Sequence, residues 1–278
     1  MQQIARRTLH LICAAAFLAL FAAPAAAQEF GTLTGKFVFE GKAPEMKPLV
    51  ITKDVAVCAK HKPMDERLVI KDGAIANVVI YAVGNQTDPN IPIAPIHKDY
   101  EKLKEKEVVV DNKGCRFDPH VQTYWTEQKL FLGNSDPTGH NSNITVFSPG
   151  NRNINPLIPP GDKQPVAALI EGEQTPVKVT CGIHGWMTGF IVVRPDPYMA
   201  ASAADGSFKI DNIPAGTQTF QLWQESLGYL RTVSIDGKPV TGATRRGFQK
   251  ITIKPGKTDI GKIVINAKDY ATQLSKIK

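Results

Sequence analysis

Short apolar runs separated by turn residues recur along most of the chain, and they predict β-strands. Residues 31–39 alternate in hydropathy and are rich in residues that favour strands. Residues 68–84 contain two further strand patterns that meet at Asp72-Gly73, a dipeptide typical of hairpin turns. Within them the run 78–83 is continuously apolar, as expected of a strand that is covered on both faces. Residues 100–107 carry a mixed-charge pattern of one or two helical turns. Because strand patterns dominate elsewhere, an all-β fold is predicted.

Two of these strand patterns flank a loop of unusual composition. Strands are predicted at 175–180 and 189–193, and between them Cys181, His184 and Met187 follow one another at intervals of three. Thiolate, imidazole and thioether groups all bind soft or borderline metals. The two glycines of this loop favour a turn, although three residues of a sandwich core remain an alternative interpretation.

A metal bound by this loop needs another ligand from elsewhere, because one tight loop cannot surround an ion. A trigonal copper site with one Cys, two His and a long axial Met lacks only a second His here. His140, which lies upstream after a predicted turn and before a predicted strand, is the candidate.

With His140, Cys181, His184 and Met187 in this order, the chain resembles the cupredoxins, the type 1 blue-copper proteins. The short ligand loop is most similar to that of their amicyanin- and plastocyanin-like members. The resemblance implies a cupredoxin Greek-key β-sandwich over residues 28–195. It also implies one copper ion per chain, cycling between Cu(II) and Cu(I), in a carrier of single electrons that is not an enzyme.

The same resemblance implies roles for two neighbours of the ligands. Asn141 follows the first His, as in that family, and would tie the two ligand segments together through hydrogen bonds. An ordinary turn asparagine is the alternative. The imidazole of His184 would face solvent, and Trp186 would form part of an apolar patch for docking a partner. The alternative is that Trp186 is simply buried against a neighbouring loop.

A change of composition at residues 194–197 predicts a domain boundary. Beyond it, a D-G-x-F pattern at 205–208 and a P-x-G turn within 213–217 resemble the carboxypeptidase-regulatory-like, transthyretin-type sandwiches. A second small β-sandwich domain is therefore expected over residues 196–266. Residues 267–278 form a charged C-terminal tail that we expect to hold about one helical turn.

Residues 1–27 have the pattern of a secretory signal peptide. Arg6 and Arg7 precede an apolar stretch over 9–21, and an Ala-x-Ala pattern ends at Ala27. The expected mature protein is periplasmic and does not span the membrane after signal cleavage.

Cysteine usage fits an oxidising compartment. Of four cysteines, Cys13 leaves with the signal peptide, and Cys58, Cys115 and Cys181 remain. A Cys58–Cys115 disulfide would account for this odd number and leave Cys181 for the metal. Three free thiols are the alternative.

Histidine and charge counts limit the function further. Of six His, His10 leaves with the signal peptide, and the five that remain are too few for a multicopper oxidase. Copper nitrite reductases have a His beside the copper-binding Cys, and Cys181 has none, so one copper is expected. His61, His97 and His120 are each more often capped or exposed residues than ligands, and whether they bind anything is left open. Without Arg6 and Arg7 the chain has 31 basic residues against 26 acidic ones, a balance of +5.

This charge favours acidic redox partner proteins, whereas no dense basic run with interleaved aromatics indicates a nucleic-acid partner. Two alternative functions are compatible with the same predicted ligands and domains. One is periplasmic copper delivery or storage. The other is a binding module whose C-terminal sandwich recognises a partner or a polysaccharide.

Overall fold

The computed structural model describes residues 28–241 and 246–274, and these are mostly β-strand. The expected signal peptide at 1–27 and the last residues of the tail lie outside the described part. The strands, in chain order, are β1 (Phe30–Glu40), β2 (Val69–Lys71), β3 (Ala74–Ala76), β4 (Val79–Ala82), β5 (Glu107–Asn112), β6 (Phe117–Asp118), β7 (Val121–Trp125), β8 (Lys129–Asn134), β9 (His140–Asn141), β10 (Asn143–Ile144), β11 (Leu157–Ile158), β12 (Lys163–Val166), β13 (Val177–Thr180), β14 (Thr188–Arg194), β15 (Met199–Ala201), β16 (Ser207–Pro214), β17 (Gly216–Gln224), β18 (Gly228–Tyr229), β19 (Thr232–Ile235), β20 (Lys238–Thr241), β21 (Gln249–Ile253) and β22 (Gly256–Asn266). The helices are α1 (Val55–Cys58), α2 (Glu101–Lys104) and α3 (Ala267–Leu274), with 3₁₀ turns at Ala59–His61 and Lys98–Tyr100.

Strands β5 to β14 form one sandwich, which we call the central sandwich. One sheet has the order β10-β13-β14-β7, the facing sheet has the order β12-β8-β5-β6, and β9 and β11 form a small pair. Apolar side chains of both large sheets fill the space between them, among them Leu130, Leu132, Ile144, Val177 and Val179. The alternating burial of β13 follows from this arrangement, because successive side chains of a strand point to opposite faces.

The remaining strands form a second sandwich, the flanking sandwich. One sheet has the order β2-β3-β1-β22-β19-β20 with β16 also paired to β1, and the other has the order β15-β4-β17-β18 with β21 also paired to β17. Its core contains Phe37, Ile75, Ile80, Phe220 and Ile263. The described chain is thus all-β, as the sequence predicted.

Strand pairing does not follow the domain boundary expected at residue 195. Phe37 of β1 pairs with Ile263 of β22, and β4 lies between β15 and β17. Residues 30–82 therefore supply strands to the same sheets as residues 199–266. Local periodicity identifies a strand but carries no information about a distant pairing partner.

Strand β4 also shows why the run 78–83 is continuously apolar. Ile80 faces the core of the flanking sandwich, whereas Val79 and Tyr81 join a cluster with Val121 and Val192 of the central sandwich. This strand is buried on both faces because it lies where the two sandwiches pack together.

The C-terminal segment is more helical than expected. Helix α3 has eight residues where about one turn was predicted. Tyr270 on this helix packs edge-to-face against Phe39, with 5.9 Å between ring centroids. Burial of an aromatic ring against β1 supplies packing that the charged sequence of the tail does not indicate. No helix in the described ranges is long and apolar enough to cross a membrane.

The connection between β1 and β2 leaves the flanking sandwich and lies on the central one. Its middle, residues 49–63, is closed at the base by hydrogen bonds from Leu49 N to Pro63 O, 2.9 Å, and from Asp65 N to Lys47 O, 2.8 Å. We call residues 49–63 the covering loop. A disulfide joins its helix α1 to the central sandwich.

Candidate metal centre

Strand pairing brings the two predicted ligand segments together. Asn143 of β10 lies opposite Thr180 of β13, so His140 lies near the loop that follows Thr180. That loop is tight, because Met187 N donates to His184 O at 2.9 Å. The four predicted ligands, His140, Cys181, His184 and Met187, are at most 2% exposed.

Three of these side chains converge on one point. His140 Nδ1 and His184 Nδ1 are 2.9 Å apart, and Cys181 Sγ lies 4.0 Å and 3.8 Å from them. Donor atoms bound to one first-row metal at about 2.0–2.3 Å lie about 3–4 Å from one another. The separations therefore fit a single metal ion, and the thiolate with two imidazoles fits copper or zinc.

The other ring nitrogen of each histidine meets a carboxylate. His140 Nε2 lies 3.1 Å from Asp136 Oδ2, and His184 Nε2 lies 2.7 Å from Asp54 Oδ2. A carboxylate partner orients a metal-binding imidazole and fixes which nitrogen is free to bind. Both rings thus present Nδ1 to the centre.

Asn141 joins the two ligand segments. Its Oδ1 accepts hydrogen bonds from Gly182 N, 2.8 Å, and Ile183 N, 3.2 Å, and it lies 3.4 Å from Cys181 Sγ. Its Nδ2 donates to Asn155 Oδ1. These contacts are the kind expected of Asn141 from the resemblance.

The surroundings of the thiol favour a thiolate. Burial raises the pKa of Cys181, but hydrogen bonds with the His140 side chain and with the backbone of Asn141 and His184 outweigh it and lower the pKa to about 6. For His140, burial lowers the pKa, while the hydrogen bond with Asp136 and the adjacent thiolate raise it to about 9. A thiolate at neutral pH is the form that binds metal.

Trp186 is half-buried beside the centre. Its ring centroid lies 5.1 Å from that of His184, and its Nε1 donates to Cys115 O at 3.1 Å. His184 does not face solvent as expected. Its ring is buried, because Asp54 of the covering loop lies against its Nε2. The docking role of Trp186 stays a prediction.

The covering loop is held by the expected disulfide. Cys58 and Cys115 are bonded, with 5.4 Å between Cα atoms, and Cys181 is a free, buried thiol. The disulfide prediction is therefore confirmed. Asp54 itself has a left-handed backbone, with φ 47° and ψ 41°, immediately before α1.

The three other histidines lie outside the centre. His97 Nδ1 accepts a hydrogen bond from Asp99 N and so caps a 3₁₀ turn. His120 Nε2 lies 2.6 Å from Glu225, and His61 is exposed on the covering loop.

Sequence reasoning missed Asp54 and Asp136. Asp136 precedes His140 by four residues within a predicted turn, so its closeness in sequence was a weak indication that it could contact His140. Asp54 lies 130 positions from His184, and no local pattern connects them.

Fold and centre together define a class: an all-β protein with a buried His₂Cys group suited to one soft or borderline metal ion. No protein-family model and no curated protein matches the chain.

Several solved structures are similar to part of the chain. A copper-containing nitrite reductase from Thermus scotoductus SA-01 is 20% identical with a TM-score of 0.28, over 31% of this chain and 22% of that one. A purple cupredoxin from Nitrosopumilus maritimus is 18% identical with a TM-score of 0.24, over 31% and 97%. The Cu(I) form of an amicyanin mutant is 16% identical with a TM-score of 0.29, over 32% and 84%.

The chain thus spans about a fifth of the nitrite reductase that it matches. Similarity this limited supports no assignment of function. The transthyretin-type resemblance of residues 196–266 stays a prediction.

Proposed function

We propose that the protein is an exported type 1 copper protein that carries single electrons between redox partners. One copper ion per chain would be held by His140, Cys181, His184 and Met187. The observation that supports this most directly is the convergence of one thiol and two imidazole nitrogens within 4.8 Å of one another. A Cys and two His with a weak axial Met are the ligand set of blue-copper electron-transfer sites.

Copper bound by these donors would supply one-electron chemistry and an intense thiolate-to-copper absorption. The chain's own residues would hold the donors in place. Asn141 fixes the loop against β9, and Asp136 and Asp54 orient the two imidazoles. Such outer contacts limit movement of the ligands when the charge of the centre changes.

Burial favours a carrier over a copper-delivery protein. His140 and His184 have no exposed surface, and Met187 and Cys181 are 1% and 2% exposed. A delivery protein must present its donors to the receiving protein, which this burial opposes. A carrier rather than an enzyme is proposed because four protein side chains would hold the ion, which leaves no position for a substrate.

Export is part of the same proposal. It is supported by the signal-peptide pattern at 1–27 and by the Cys58–Cys115 bond, because disulfides persist in oxidising compartments.

The test is the visible spectrum of the copper-loaded mature chain and of Cys181→Ser. The parent should show an intense band that a reductant bleaches and an oxidant restores. Cys181→Ser should lose this band, because no thiolate remains for charge transfer.

A matched control is His97→Asn, which lies outside the centre and retains a side chain that can cap the 3₁₀ turn. This variant should keep the band. An unchanged band in Cys181→Ser would refute the ligand assignment. A colourless protein that holds only Cu(I) would favour copper delivery instead.

A further inference from the structure

We propose that the covering loop is the docking surface for an acidic redox partner, and that electrons pass to and from the centre beside Asp54. This inference rests on the proposed electron-transfer function. It differs from the expected docking at a bare His184 edge, because the covering loop occupies that edge.

Of the two carboxylates that contact the ligand imidazoles, only one reaches solvent. The carboxylate of Asp136, on the far nitrogen of His140, is 3% exposed, whereas that of Asp54, on the far nitrogen of His184, is 36% exposed. Among the described side chains that hydrogen-bond to the two imidazoles, Asp54 therefore offers the shortest connection to solvent. Electron transfer weakens steeply with distance, so a partner gains most by docking over this residue.

Asp54 is held in place from three sides. Thr138 Oγ1 donates to its Oδ2 at 3.2 Å, and its backbone carbonyl accepts hydrogen bonds from Val57 N and Cys58 N, each 2.9 Å long. Cys58 is in turn bonded to Cys115 of the central sandwich. Because Asp54 is fixed in this way, a partner can dock over it without any rearrangement of the covering loop.

The surface around Asp54 combines apolar and basic groups. Val50 and Val55 are 77% and 55% exposed. The covering loop also carries three exposed lysines, Lys53, Lys60 and Lys62, against the single acidic residue Asp54. Transient redox complexes use small interfaces, in which a compact apolar centre is surrounded by charges that steer the encounter. The excess of positive charge on the covering loop is complementary to an acidic partner.

The location is tested by mapping where a trivalent anion binds. Paramagnetic hexacyanochromate(III) added to the ¹⁵N-labelled mature chain, held in the diamagnetic Cu(I) state, should broaden amide signals of residues 50–62. Lys53→Glu and Lys60→Glu should each reduce this broadening. Lys250→Glu, an exposed position on β21 of the flanking sandwich, is the matched control and should leave it unchanged.

The rate of electron exchange with hexacyanoferrate(III) gives a second readout. Lys53→Glu should slow oxidation of the reduced protein about five- to tenfold at low ionic strength, with the difference shrinking as salt is added. Lys250→Glu should react like the parent. Strongest broadening at another place, such as the exposed Leu157 of β11 beside the ligand strand, would overturn the inference, as would equal rates for all three proteins.

Failure of this inference can be told apart from failure of the proposed function. If the visible band is present but the anion broadens no signals of the covering loop, the proposed electron-transfer function stands and the docking surface is refuted. A protein without the band refutes the proposed function and with it the redox role of the loop, even where the metal-free chain binds the anion there.

Discussion

Replacement of Asn141 by alanine should loosen the metal-binding loop while leaving every ligand in the sequence. Its Oδ1 accepts hydrogen bonds from Gly182 N and Ile183 N, at 2.8 and 3.2 Å. Alanine has no acceptor, so both backbone donors would lose their partner in a part-buried position. The loop would then be held to β9 by packing and by the contacts of His140 with Cys181 and His184.

The size of the effect follows from these two contacts. A protein hydrogen bond contributes about 0.5–1.5 kcal/mol net to stability, and more is lost where a donor stays buried without a partner. Two half-buried donors therefore predict a loss of about 2 kcal/mol in the free energy of unfolding. For a chain of this length that corresponds to a decrease in Tm of about 4–8 °C.

Thermal unfolding followed by circular dichroism measures this loss, first without metal and then with excess copper. Asn143→Ala is the matched control, since Asn143 is the exposed asparagine two residues further on. The stabilisation by copper should also be smaller in Asn141→Ala, because a looser loop binds the metal less tightly. A Tm within about 1 °C of the parent, or an equal shift in the control, would refute the reasoning.

Asn141→Asp separates the hydrogen bonds from the charge. A carboxylate still accepts from both loop donors, so much of the stability should return. It also places a negative charge near Cys181 Sγ, which lies 3.4 Å from the present Oδ1. A negative charge stabilises the oxidised, more positive centre, so the reduction potential should fall below that of the parent.

Three further predictions address other parts of the proposal. Replacing Cys58 and Cys115 together by alanine opens a loop of 57 positions, which should cost about 4 kcal/mol of unfolding free energy in chemical denaturation; an unchanged midpoint would contradict it. Trp186→Ala should leave the visible spectrum nearly intact and slow electron exchange with hexacyanoferrate(III) less than Lys53→Glu does, because electrons are proposed to pass beside Asp54; a larger loss in Trp186→Ala would place the entry point at Trp186 instead. Metal analysis of the loaded mature chain should give one copper per chain, and two or more tightly bound ions would argue against a simple carrier.

The ligand loop could be predicted from sequence because its chemistry is local. Cys181, His184 and Met187 lie within seven positions, and the strands on either side have clear periodicity. His140 could be added because one more donor was needed and turn residues precede it. The Cys58–Cys115 bond followed from the number of cysteines rather than from any pattern around them.

Contacts between distant segments could not be predicted in this way. The parallel pairing of β1 with β22 joins residues more than 200 positions apart, and no periodicity records it. Asp54 was missed for the same reason. Nothing near it in the sequence distinguishes it from other exposed acidic residues, and its significance comes only from the fold that places it on His184.

The origin of the covering loop explains why the two sandwiches function together. The loop belongs to the connection between β1 and β2, which are strands of the flanking sandwich, yet Asp54 and Cys58 act on the central one. A fragment restricted to β5–β14 would retain all four proposed ligands. It would, however, leave His184 Nε2 without its carboxylate and Cys115 without its disulfide partner. The flanking sandwich thus contributes to the centre even though it supplies none of the proposed ligands: it anchors both ends of the loop that orients His184 and separates this ring from solvent.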